Sequence, residues 1–140
     1  MRYLRCLILL FFSGLTFSQS ETSVAPILTV KEIMNAMITP TTATIWGAYE
    51  LESDSEWQEV KNAAISVIGA GNLLLLGGSA QGEALLAREA EWQQFNRQMI
   101  EAAQEVITAV DRRDEEALFI IGNDKLYPPC ESCHQRYQAR

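Results

Sequence analysis

Cys130-Glu131-Ser132-Cys133-His134 gathers two thiols and the only histidine of the 140-residue chain into five consecutive positions. The order C-x-x-C-H is the pattern of covalent haem attachment. Its logic is helical, because residues three and four apart are neighbours on one turn. Both thiols then reach the two vinyl groups along one edge of the macrocycle, and the imidazole beside them meets the iron. Pro128-Pro129 just upstream favours the start of a helical turn at Cys130. Cys130 and Cys133 are therefore the expected attachment points of one haem c, and His134 is the expected proximal iron ligand.

Other uses of the same residues fit less well. A redox dithiol of the thioredoxin kind wants a βαβ setting, and no such pattern is visible. Structural zinc takes four ligands, and once Cys6 is set aside with the leader described below, two cysteines and one histidine fall one short. A disulfide across two intervening residues gains little from loop closure.

The iron's second axial position is narrowed by elimination. His134 is the only histidine, so two histidines from one chain cannot share the metal, and both remaining thiols are occupied. Only six residues follow His134, so no downstream methionine loop is expected. That leaves methionine or an open, water-accessible position. Met34 and Met37, three apart on one predicted helix face, are the candidate distal ligands, although the same spacing also fits core filler. Met99 is expected in the core, as are Trp46, Trp57 and Trp92.

The elements that must position these groups read as helices, so the expected fold is an all-α, antiparallel four-helix bundle with haem near the C-terminus. Thr29 and Glu32 form a capping box ahead of apolar Val30, Ile33, Met34, Met37 and Ile38. Pro40 predicts a kink or restart, with helix continuing through Trp46. Ser53 and Glu56 open a second helix with Trp57, Val60, Ala64, Val67 and Leu74 inward, stopped by Gly77-Gly78. A third is predicted over about 81–111, with Leu85, Trp92, Phe95, Met99 and Val106 on its apolar side. Asp114 caps a fourth, predicted to break at Gly122 and at Pro128-Pro129.

The first residues read as an export signal. A basic start, Met1-Arg2-Tyr3-Leu4-Arg5, precedes the apolar run 6–15 and then small or polar Thr16-Phe17-Ser18-Gln19-Ser20. Cleavage is expected after residue 18 or after residue 20, which makes 1–18 the signal peptide and 19–140 the single haem domain. The apolar run falls short of the ~20 residues a membrane span needs, so no stable span is expected and the protein is placed in the periplasm. Removing Arg2 and Arg5 from the 11 basic residues leaves 9 against 18 acidic ones, a net charge of −9. Such a surface argues against nucleic acid and favours redox partner proteins with basic docking patches.

A signal peptide, four predicted helices and a late C-x-x-C-H together resemble the class II c-type cytochromes, the cytochrome c prime superfamily with its low-spin relatives. The resemblance covers most of the mature chain but rests on architecture and on 130–137, where Tyr137 matches an aromatic three residues beyond the histidine. It implies His134 as proximal ligand and, in low-spin members, a first-helix methionine on the other side. The stretch 30–37 looks like that helix, placing Met37 or Met34 near the distal position. Two copies commonly pair through the first two helices in that family, so a homodimer is also implied. Three features depart from the family: Ile33 or Val30 stands where an arginine is typical one turn before the distal residue, Gln138 follows the aromatic where a basic residue is usual, and Pro128-Pro129 interrupts a helix that is often continuous.

The expected function is a monohaem electron carrier and not an enzyme, since no second histidine is available as a distal acid–base catalyst. The alternative is a five-coordinate haem module that binds NO or CO.

Overall fold

The structure is a computed structural model that describes residues 24–138. The expected leader, with Cys6 and both cleavage positions, lies outside the described residues. Those described are helical with no strand among them, as the sequence predicts.

Helix α1 covers 30–46 as an α-helical turn Val30–Ile33, a π-helical turn Met34–Ile38 and a second α-helical stretch Thr39–Trp46. Helix α2 is Asp54–Leu74, α3 is the single turn Glu83–Leu86, and α4 is Ala90–Arg112. Helix α5 covers 115–137 as Glu115–Ile121, a π-helical turn Gly122–Leu126 and Tyr127–Tyr137.

Both predicted capping boxes form. Thr29 Oγ1 accepts from the Glu32 amide at 3.1 Å, and Glu32 Oε2 accepts from the Thr29 amide at 2.8 Å. Ser53 and Glu56 repeat the exchange at the head of α2. These bonds hold the exposed Glu32 carboxyl below the usual range, mainly through the Thr29 amide. Glu56 is held low in the same way, first by the Ser53 hydroxyl. Each favours the ionised carboxylate at a helix N-terminus.

The predicted break at Gly122 and Pro128-Pro129 is overturned, because α5 runs through both. In an α-helix a proline ring collides with the carbonyl four residues earlier. For Pro128 that carbonyl belongs to Asp124 and for Pro40 to Ala36, and each lies inside a π-helical turn. There the hydrogen bonds span five residues, with the Thr39 amide bonded to the Met34 carbonyl and the Tyr127 amide to that of Gly122. The wider turn carries the obstructing carbonyl aside, so two prolines that sequence rules treat as breakers sit in continuous helices.

The predicted third helix is also corrected at its start. Gly82 takes φ +87°, and Glu89 is extended as the N-cap of α4, so 81–89 forms a corner around α3. The Glu83 carboxylate ties that corner to α1, accepting from the amides of Val30 at 3.0 Å and Ala80 at 3.1 Å. Leu85, expected inward, is exposed as a result.

Helices α2 and α4 run antiparallel. Asp54 pairs with Arg113, Lys61 with Asp111, and the Leu74 carbonyl accepts from Trp92 Nε1 at 2.7 Å. Trp57, Val60, Val67 and Leu74 meet Trp92, Met99, Val106 and Val110 in the core. Small residues let the backbones approach: a Cβ on Gly71 would lie 2.6 Å from Ile100 Cγ1. Helix α5 lies antiparallel to α4 through Lys125–Glu105 and Arg136–Glu91.

Candidate functional site

Cys130, Cys133 and His134, the residues expected to attach haem, all lie in the last segment of α5. Pro128 and Pro129 occupy its first turn, where missing amide donors cost least. Tyr127, Cys130 and His134 follow at steps of three and four and so form one stripe. Cys133 turns inward and is buried against the core, Cys130 is half-buried, and His134 is exposed. Cys130 Sγ lies 3.1 Å from the Leu126 carbonyl and donates to it.

The first member of this stripe reaches α1. The Tyr127 ring meets Trp46 of α1 edge-on, with centroids 6.3 Å apart and planes at 65°. Trp46 Nε1 also donates to the Gly122 carbonyl at 3.0 Å. Trp46, expected in the core, is therefore a half-exposed bridge from the end of α1 to the middle of α5. The physical reason is its indole N–H, which shares the Gly122 carbonyl with the Tyr127 amide while one ring edge stays in water. Sequence spacing places Tyr127 one turn before Cys130, but nothing in it marks Trp46 as the partner.

The far end of the segment is anchored to α4. The Tyr137 ring packs edge-on against buried Trp92 at 5.2 Å, and its hydroxyl donates to Glu89 at 2.9 Å. Burial, then the Glu89 carboxylate, pushes the Tyr137 phenol up. Arg136 Nε bonds Glu91 Oε2 at 3.0 Å.

Both thiols are held neutral. Burial pushes Cys130 up to about 11 and Cys133 up to about 11, the latter also feeling Cys130 beside it. A protonated thiol is a weak nucleophile, so both react slowly in exchange with external disulfides. Among the described residues no group of three or more His, Cys, Asp or Glu side chains converges to hold a metal ion. Two thiols one turn apart, with an imidazole next in line, keep the arrangement that the C-x-x-C-H spacing leads one to expect.

Met34 and Met37 are both half-buried and packed on the core, and Met99 is fully inside it. The π-helical turn separates the two candidates. It adds about one residue to the turn, so Met34 and Met37 stand at a wider angle around α1 than in an α-helix. Met34 stands twelve positions before Trp46, and His134 twelve after Gly122, with one π-helical turn in each interval. Running in the same direction from the Trp46–Gly122 bond, the two reach one height, roughly 18 Å along. Away from that bond, α1 and the last segment of α5 are not a closely packed pair.

An open groove of about 460 Å³ runs between α4 and α5, lined by Phe95, Gln98, Glu101, Lys125, Pro128 and Ser132. Neither thiol nor His134 opens onto it, so it is a separate feature. No helix among the described residues is long and apolar enough to cross a membrane. Comparison with protein-family models, with curated proteins and with solved structures finds no match.

Proposed function

We propose that the chain is an exported, monohaem c-type cytochrome of antiparallel four-helix-bundle architecture that carries electrons in the periplasm. The observation that supports this best is the disposition of Cys130, Cys133 and His134 on one helical segment. Burial favours the neutral form of both thiols, and Tyr127 at the head of the stripe meets Trp46 of α1.

Cys130 and Cys133 would hold the cofactor through their sulfur atoms, and His134 would bind its iron. The haem, when bound, supplies a one-electron couple at its iron. Met34 is the distal ligand favoured by height, with Met37 the other candidate. The anchors at Tyr137 and Arg136 fix the helix that carries the proximal imidazole. Methionine on the far side raises the potential and keeps external ligands off, which suits a carrier.

The test is export of the full chain in a haem-attaching host, followed by intact-mass measurement after acid–acetone extraction. A mass increased by one haem, lost when both Cys130→Ala and Cys133→Ala are introduced, is the expected result. A bare polypeptide with two titratable thiols from a haem-replete host refutes the proposal.

A further inference from the structure

The end of the molecule where α1 gives way to α2 carries four aromatic rings in water. Tyr49 is 74% exposed, Phe119 72%, Tyr127 50% and Trp46 45%. Phe119, Asn123 and Tyr127 follow at steps of four, which the wide π-helical turn keeps close to one line on α5. Trp46 completes the cluster through its contacts to Gly122 and Tyr127. Large exposed aromatics grouped in this way mark an interaction surface more often than scattered single residues do.

Carboxylates surround the rings. The Leu51 amide bonds Glu115 Oε1 at 2.7 Å, which joins the loop after α1 to the head of α5. That junction brings together Glu50, Glu52, Asp54, Asp114, Glu115 and Glu116. Arg113 offsets one of them by pairing with Asp54. An apolar centre with an acidic rim selects among occupants by charge. A second copy would press two acidic rims together, and anionic lipid or nucleic acid would be repelled.

From this we infer that the Trp46–Phe119–Tyr127 face docks a redox protein that presents lysines and arginines around an apolar contact. The inference rests on the electron-carrier reading and adds the surface through which the electron leaves. Tyr127 lies one turn from Cys130, so a partner seated there is close to the attachment segment. One electron passes per encounter, oxidising ferrous haem here and reducing an oxidised centre in the partner.

The test uses the haem-loaded full chain and a basic ferric monohaem cytochrome as probe. Affinity is read by calorimetry at low ionic strength, and electron exchange by stopped flow. Glu116→Lys and Phe119→Ser are each expected to weaken binding roughly tenfold and slow exchange in step, while Glu101→Lys in the α4–α5 groove changes affinity less than about twofold. Affinity unchanged in the first two variants of a haem-loaded preparation overturns the docking inference alone. Equal weakening by Glu101→Lys also overturns it, since net charge then suffices. A dimer that Phe119→Ser dissociates overturns it in favour of a second copy, and a preparation without haem overturns the carrier reading together with it.

Discussion

Replacing Met34 with leucine, and Met37 with leucine in a separate variant, probes the geometry of α1 directly. The swap conserves volume and shape closely enough to cost less than about 1.5 kcal/mol in a packed site, so both variants are expected to fold. The effect on the iron differs sharply between them. Met34 shares the height of His134 measured from the Trp46–Gly122 bond, whereas Met37 stands three positions nearer Trp46, about 4.5 Å short along the axis. Met34→Leu is therefore expected to remove the sixth ligand outright. Its reduced spectrum turns high-spin and shifts at once with carbon monoxide, while Met37→Leu keeps a low-spin spectrum that carbon monoxide does not move. Circular dichroism melts on the same samples check that both remain folded. A spectrum changed by Met37→Leu and not by Met34→Leu refutes the reasoning from height. No change in either variant removes both methionines as ligands, and an unsubstituted protein that binds carbon monoxide at once is the five-coordinate module instead.

Other perturbations follow from the packing and the electrostatics. Gly71→Ala gains about 1 kcal/mol of helix propensity but forces a Cβ to 2.6 Å from Ile100 Cγ1, and overpacking costs about 1–3 kcal/mol, so urea titration is expected to report a net loss. Stabilisation would mean that α2 and α4 are not held as close as described. Thiols raised to about 11 make folded haem-free protein alkylate slowly at neutral pH, with thiolate roughly a hundredfold scarcer than for a thiol at 9.0. Because the folded state holds these protons longer, its stability is complete below about 9 and falls as pH rises towards 11, which denaturant midpoints across that window check. Glu32 and Glu56 act with the opposite sign. Their lowered values stabilise the helix starts above the ordinary carboxylate range, and that support fades as pH falls through the lowered values. NMR titration that finds both carboxyls at ordinary values would remove the capping account.

Local signals were legible where the chemistry is local. A capping box needs only a hydroxyl and a carboxylate three residues apart, so Thr29–Glu32 and Ser53–Glu56 were readable before any packing was known. The burial of Trp57, Trp92 and Met99 followed from helical periodicity. The break expected at Pro128-Pro129 failed because proline rules assume α-helical spacing, and a π-helical turn moves the clashing carbonyl aside. Helix 81–111 failed at its start because Glu83 is drawn into a tertiary bond with the amide of Val30. Trp46 was misplaced for a related reason: its indole found a carbonyl seventy-six positions away.

The sequence by itself determined that two thiols and an imidazole share one turn of helix, because C-x-x-C-H spacing requires no more than local helical geometry. It also determined the helical class and the acidic surface. Periodicity alone left Met34 and Met37 equivalent, since both suit one face of an ideal helix. The structure removes that equivalence, through a turn of five-residue hydrogen bonds that changes the angle between them around α1. It alone placed the exposed aromatic rings beside the acidic junction, because that neighbourhood is made by the Trp46–Gly122 and Leu51–Glu115 bonds, each joining α5 to a distant part of the chain.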